Sequence, residues 1–201
     1  MSIRRKVGIM GGTFNPIHTG HLIMAEHAYD SFDLDEILFI PTGNSYMKSD
    51  VLDKETRAKM VSLSIEDNPK FAMSDIEISK DTPSYSFETI RELKQLNPGN
   101  DYYFIVGEDS LRSMKDWVHP EKIFSEITVL VARRPFVSIE KLMDVIEFYE
   151  STYNADIQVI EMNNIDISST EIRNRVSEGK SIKYMVHPKV LDFIQSHNLY
   201  S

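Results

Sequence analysis

The sequence predicts an α/β protein: a doubly wound parallel sheet with helices on both faces and a small helical C-terminal part. Three observations carry this expectation. Short apolar runs of strand length alternate with helix-length amphipathic segments along almost the whole chain. The strand-like runs are continuously apolar, as in Ile37-Leu38-Phe39-Ile40 and Tyr102-Tyr103-Phe104-Ile105, which suits strands buried on both faces. The first run also ends in Gly11-Gly12, a glycine turn feeding a helix. Such alternation implies parallel strands joined by right-handed crossovers. The 201 residues suffice for one well-buried domain, read as 1–201 with 163–201 as a helical subregion.

In chain order, the run from Val7 to Met10 supplies the first strand. Leu22, Ile23, Ala25 and Ala28 then repeat at helical spacing over 19–31. Residues 36–41 form the second strand, followed by a loop over 42–53 rich in Gly, Asn, Ser and Lys. A helix is expected over 54–66, stopped by Asn68-Pro69. Residues 71–78 read as a strand, and Ser84-Tyr85-Ser86 leads into a helix running to about residue 96. A buried strand over 101–106 ends at Gly107-Glu108-Asp109. A short helical region surrounds Trp117 and Ile123. A strand over 127–132 runs into Arg133-Arg134-Pro135, a helix follows over 139–153, and the last strand is expected over 157–162. Ser168 and Glu171 have the spacing of a capping box, Gly179 suits a helix end, and His187-Pro188 opens a final amphipathic helix.

Composition narrows the function classes. With 22 Lys plus Arg against 31 Asp plus Glu, the net charge is −9, which argues against bulk nucleic-acid binding but not against a small anionic substrate. The absence of cysteine excludes disulfides and thiolate metal sites. No run approaches the roughly 18 apolar residues of a membrane span. The short apolar run behind Arg4-Arg5-Lys6 ends in glycine and does not read as a signal peptide, so the expected location is cytoplasmic. Oligomeric state is left open, a homo-oligomer included.

The chemistry-bearing residues gather after strands. In a sheet of this kind ligands bind beyond the carboxyl ends of the strands, where strand order reverses. Gly11 to His21, Thr42 to Lys48, Gly107 to Asp109 and Arg134 all occupy such positions. Glycines without Cβ let a ligand approach backbone amides, and the free N–H groups of the helix start favour phosphate. The stretch lacks both the dinucleotide-binding G-x-G-x-x-G and the Lys-Ser/Thr ending of a P-loop. His18 and His21 share a face if the helix starts early enough to include both. Ser168, Ser169, Thr170 and Arg173 form a second potential anion site at another helix start.

Taken whole, Gly11-Gly12-Thr13-Phe14-Asn15-Pro16-Ile17-His18-Thr19-Gly20-His21 resembles the signature of the nucleotidylyltransferase superfamily, whose fold is Rossmann-like. Ile167 to Arg173 resembles its second signature. Ser84-Tyr85-Ser86, the segment from Tyr103 through Trp117 to Arg134-Pro135, and the ending from Val190 to Tyr200 are similar to bacterial nicotinate-nucleotide adenylyltransferases. The sequence departs from that pattern at Asn15, where Asp is frequent. It departs again before Lys48, where the frequent histidine is replaced by Met47.

The resemblance implies transfer of AMP from ATP to nicotinate mononucleotide, with Mg²⁺ held mainly by the ATP phosphates and no protein metal site. It implies that His18, His21 and Arg173 act on the phosphates. Gly11, Gly12, Thr13, Phe14, Gly107, Asp109, Ser168, Ser169 and Thr170 then complete the ATP site. Lys48, Tyr85, Ser86, Trp117 and Arg134 would serve the acceptor, with Trp117 stacking on its pyridine ring. His27, His119, His187 and His197 read as structural or solvated. A related transferase using nicotinamide mononucleotide or another phosphate acceptor, and a catalytically silent nucleotide sensor, are the alternatives.

Overall fold

The computed structural model describes residues 4–44, 51–133, 138–163 and 165–201. Six parallel strands form one sheet in the order β3-β2-β1-β4-β5-β6. They are β1 (Arg5–Gly12), β2 (Glu36–Pro41), β3 (Phe71–Met73), β4 (Asn100–Gly107), β5 (Thr128–Ala132) and β6 (Ile157–Ile160). The helices are α1 (Thr19–Ser31), α2 (Lys54–Ile65), α3 (Ser86–Leu96), α4 (Glu108–Ser113), α5 (Pro120–Glu126), α6 (Ile139–Tyr153), α7 (Ser169–Ser177) and α8 (Pro188–Ser196). A single 3-10 turn, Met114–Asp116, separates α4 from α5.

Strand side chains alternate between faces, and here the alternation builds two cores from the same strands. Val7, Ile9, Phe104, Val106, Val129 and Val131 face one way and meet Ile90 and Leu93 of α3, Ile123 and Phe124 of α5, and Leu142, Ile146 and Tyr149 of α6. Met10, Ile105, Leu130 and Ala132 face the other way and meet Ala25 and Ala28 of α1, Met60 and Val61 of α2, Ile172 of α7, and Val190 and Ile194 of α8. Being apolar on every residue is therefore what the central strands need. Fully burying one such side chain contributes about 1.5–3 kcal/mol before entropy is counted. At Gly8 the sheet is too crowded for a side chain, since a Cβ there would lie 2.8 Å from the Cδ1 atoms of Ile105 and Ile37.

Most elements match the sequence expectation, but two strands are shorter, and Gly11 and Gly12, expected to turn, instead end β1 in register with Ile40 and Pro41. The strand expected over 71–78 ends at Met73. Ser74 N still donates to Phe39 O at 2.9 Å, but Ser74 Oγ then accepts from Ile76 N and the chain coils, with Ser79 N donating to Asp75 O at 2.9 Å. At the sheet edge β3 has no outer neighbour to extend the ladder, so the local Ser turn wins. This turn drives Glu77 into the interior, where it is 7% exposed. The last strand likewise ends at Ile160 rather than at residue 162.

Caps explain several boundaries. Asp53 Oδ1 accepts from Thr56 N at 2.7 Å to open α2, and that backbone bond is the main reason its carboxyl stays below the ordinary value. Ser168 Oγ accepts from Glu171 N at 3.2 Å to open α7. Gly179 closes that helix with φ +67, a left-handed conformation that glycine adopts without strain. His187 caps α8 through its Nδ1, which fits its expected structural role.

Candidate active site

Strand order reverses between β1 and β4, and their carboxyl ends open a cleft of about 630 Å³. Met10 to Gly12 line it from the end of β1, Thr13 to Asn15 and His18 from the loop that follows, and Gly20 and His21 from α1. Gly107, Asp109 and Ser110 contribute from the end of β4, and Ser168, Ser169, Thr170 and Arg173 from the start of α7. All the expected nucleotide-binding residues therefore come together in one cavity. A second cavity of about 370 Å³ adjoins it through the shared residues Gly11, Gly12, Thr13, Asp109 and Trp117. Thr42, Glu77, Ser84, Ser86 and Thr89 are among its other walls. Lys48 and Arg134 lie outside the described residues.

The two histidines meet without both being helical. Helix α1 starts at Thr19, so His18 is its N-cap in extended conformation and His21 is the third helical residue. Their rings nevertheless stack, with centroids 3.7 Å apart. His18 N donates to His21 Nδ1 at 3.2 Å. An accepting Nδ1 leaves the proton of a neutral imidazole on Nε2, so His21 presents a donor on its other nitrogen. Phe14, at φ +49 and 3% exposed, packs edge-on against His21 with centroids 5.1 Å apart. The first loop thus holds the imidazole pair from below.

Helix α7 is tied directly to this loop. Arg173 Nη1 donates to Asn15 O at 2.9 Å, Arg173 Nη2 to Thr170 Oγ1 at 3.3 Å, and Ser169 Oγ to Pro16 O at 2.8 Å. Ser169 and Arg173 therefore brace the loop as well as facing the cleft. The peptide bond between Asn15 and Pro16 is cis. Asn15 Oδ1 accepts from Tyr200 Oη at 2.8 Å, so the end of the chain closes over the same loop. Burial raises the Tyr200 phenol far above its ordinary value, opposed by the nearby Arg173 and Arg57 guanidinium groups. It is therefore a neutral donor at physiological pH.

Sequence reasoning overlooked Arg57. It is 1% exposed and reaches four backbone carbonyls: Leu52 O from Nε at 2.9 Å, Thr13 O from Nη1 at 2.7 Å, and Thr42 O and Gly43 O from Nη2 at 2.7 and 3.0 Å. One guanidinium therefore fastens the loop after β1 to the loop after β2. Burial lowers its pKa, with Asp53 the main opposing charge, but a guanidinium remains cationic. The available signal was a charge among Ala58, Met60, Val61 and Ile65, positions that α2 turns inward.

Of the residues expected to serve the acceptor, Ser86 and Trp117 line the second cavity. Tyr85 is the N-cap of α3 and Ser86 its first residue, so the helix start expected there is present. Trp117 follows the 3-10 turn in extended conformation and packs edge-on against Phe104, with centroids 6.3 Å apart. Among the described residues, Trp117 Nε1 is buried without a hydrogen-bond partner, and the Ser84 hydroxyl faces Glu77. Both residues line this cavity. A buried donor usually finds a partner, so the unpaired indole N–H at this cavity suits a polar ligand.

Comparison with known proteins agrees with this fold. The model of the cytidylyltransferase-like family matches residues 9–175. A probable nicotinate-nucleotide adenylyltransferase of Caldicellulosiruptor bescii is 43% identical over 97% of this chain and 98% of its own. One of Lachnoclostridium phytofermentans is 37% identical over 98% and 99%. The solved nicotinic acid mononucleotide adenylyltransferase of Plasmodium falciparum, complexed with NaAD, superposes with a TM-score of 0.80. It is 23% identical, over 98% of this chain and 97% of that one.

Proposed function

The chain belongs to the cytidylyltransferase-like family, and from that membership and the site geometry we propose that it is a nicotinate-nucleotide adenylyltransferase of NAD biosynthesis. It moves AMP from ATP to nicotinate mononucleotide, giving nicotinate adenine dinucleotide and pyrophosphate. The observation that carries this reading is the stacked His18–His21 pair facing the same cleft as Arg173, beside a second cavity with the buried, unpaired indole N–H of Trp117.

The acceptor brings its own nucleophile, a phosphate oxygen, so the protein need supply neither nucleophile nor base. Its work is alignment for in-line attack on the ATP α-phosphorus and stabilisation of the charge that develops. His18 and His21 donate to the ATP phosphates and support the pyrophosphate as it leaves. Arg173, with Ser168, Ser169 and Thr170, holds the outer phosphates. Amides of Gly11 to Phe14 face phosphate or ribose, and Gly107 and Asp109 the adenosine. Tyr85 and Ser86 receive the nicotinate carboxylate at the start of α3, where helix N–H groups reward negative charge. Trp117 stacks on the pyridine ring. Lys48 and Arg134 serve anionic groups of either substrate. Mg²⁺ would accompany ATP, held mainly by its phosphates, and would offset phosphate charge. Among the described residues, no cluster of three or more His, Asp or Glu side chains is placed to hold a metal ion. No described helix is long and apolar enough to cross a membrane, and we assign the reaction to the cytoplasm and to one domain spanning 1–201.

Pyrophosphate release with ATP and Mg²⁺ tests the proposal, with nicotinate mononucleotide, its amide and phosphopantetheine compared at equal concentration. Strong preference for the acid supports it. Preference for another acceptor keeps the ATP site and overturns the acceptor assignment. ATP binding without release in any case turns the chain into a sensor.

A further inference from the structure

We infer that Glu77 is a positioning and specificity-determining residue of the second cavity, taking up a proton when the acidic head group of the acceptor binds there. The inference rests on the acceptor assignment above and concerns a residue that assignment leaves unused. Glu77 is 7% exposed in the turn behind β3, yet it lines the cavity together with Ser84, Ser86 and Thr89.

Its hydrogen bonding shows where a proton fits. Glu77 Oε1 lies 2.7 Å from Thr89 Oγ1, which in turn lies 3.3 Å from Tyr85 O. Thr89 has one hydroxyl proton and two acceptors within reach, so it cannot fully serve both. With a proton on Glu77, the carboxyl donates to Thr89, Thr89 donates to Tyr85, and the row is complete. With Glu77 ionised, Thr89 turns to it and Tyr85 O is left with its backbone donors, Glu88 N and Thr89 N. The row ends at the N-cap of α3, the place assigned to the acceptor carboxylate.

The surroundings favour that proton. Burial pushes the Glu77 carboxyl up from its ordinary value, against the opposing pull of the Thr89 and Ser84 hydroxyls, the Gly43 amide and Lys80. Lys80, on the same turn, is paired with Glu92 of α3. Arg57 of α2 binds carbonyls but keeps its charge, which pulls against the proton, and Lys54 at the start of α2 binds Lys80 O and Asp81. Asp109 of α4 adds a negative charge to the same cavity. A carboxylate arriving in this pocket adds another, and like charges raise each other's affinity for protons. Neutralising Glu77 removes one repulsion, whereas an amide head group makes no such demand. The proton comes from solvent and returns to it on release.

Titration calorimetry in two buffers of different ionisation heat, repeated as pH is raised from mildly acidic values upward, reads this uptake directly. Nicotinamide mononucleotide is the control, because it shares the phosphate and that group's own titration. The expected result is proton uptake with the acid in excess of that with the amide. The KM for the acid should rise by up to about tenfold per pH unit once Glu77 ionises. Glu77→Gln keeps the shape and a donor for Thr89. It should abolish the excess uptake and flatten that KM profile, while kcat at saturation changes less than about threefold. Equal uptake with acid and amide in the wild type overturns the inference without need of a variant. So does excess uptake that survives Glu77→Gln while pyrophosphate release with the acid persists. No release with the acid overturns the acceptor assignment itself, and this inference with it.

Discussion

Arg57 offers the sharpest test of how this site is held together. Replacing it with Met keeps an unbranched side chain of helix-favouring type but removes four donors, from the partly buried carbonyls of Thr13, Thr42 and Leu52 and the buried carbonyl of Gly43. Each hydrogen bond from a charged donor contributes about 1.5–3 kcal/mol, and each carbonyl left dry costs about 1–3 kcal/mol. Against this, the variant no longer has to desolvate a guanidinium, which recovers several kcal/mol. The net expectation is a loss of about 3–5 kcal/mol, typical of removing one side of a buried polar arrangement. With a urea slope of about 2 kcal/mol/M, the unfolding midpoint should fall by about 2 M. Arg57→Lys keeps the charge but cannot span three carbonyl directions, so it should recover less than half of the loss. Because the same bonds join the loops after β1 and β2, kcat/KM should fall in both variants even well below their melting temperatures. A Met variant with a midpoint shift under about 0.5 M and unchanged kinetics would refute the reasoning.

Other consequences are equally direct. His18→Ala and His21→Ala should each lower kcat by about two orders of magnitude or more, as expected for loss of a donor aimed at developing charge, and near-normal turnover in both would sink the proposed mechanism. Gly43→Ala places a Cβ 2.3 Å from the Glu77 backbone oxygen, so it should cost about 2–3 kcal/mol and weaken acceptor binding more than ATP binding, read by thermal unfolding and by the two KM values. Tyr200→Phe removes the hydroxyl from Asn15 Oδ1 and should cost about 1 kcal/mol in urea unfolding, with little change in acceptor KM. Glu77 binds its proton more tightly folded than unfolded. Its contribution to stability is therefore complete below the ordinary Glu value and is lost as pH rises through the folded value. Glu77→Gln should remove that part of the pH dependence, which a urea titration series across mildly acidic to neutral pH would reveal.

How much of this was legible depends on the range of the interaction. Local periodicity placed α1, β2, α6 and the capped start of α7, because spacing and caps act within a turn or two of chain. The residues lining the cleft were legible as well, since a parallel sheet sends its strand-end loops to one side whatever their sequence. What failed was the extent of β3, where an edge position and a serine turn outweighed an apolar run. Also hidden was the stacking of His18 on His21, which needs no shared helix face once His18 serves as N-cap.

By itself, the sequence determined the alternation of elements, the two helix starts suited to anions, and the likeness to adenylyltransferases. Only tertiary structure decided that Arg57 fastens two loops, that Glu77 turns inward to Thr89, and that Tyr200 closes over Asn15 from 185 residues away. Those contacts join segments far apart in the chain, and no local pattern encodes the partner of a buried polar group. The demand that such a group find a partner is enforced only when the core closes around it and water is gone.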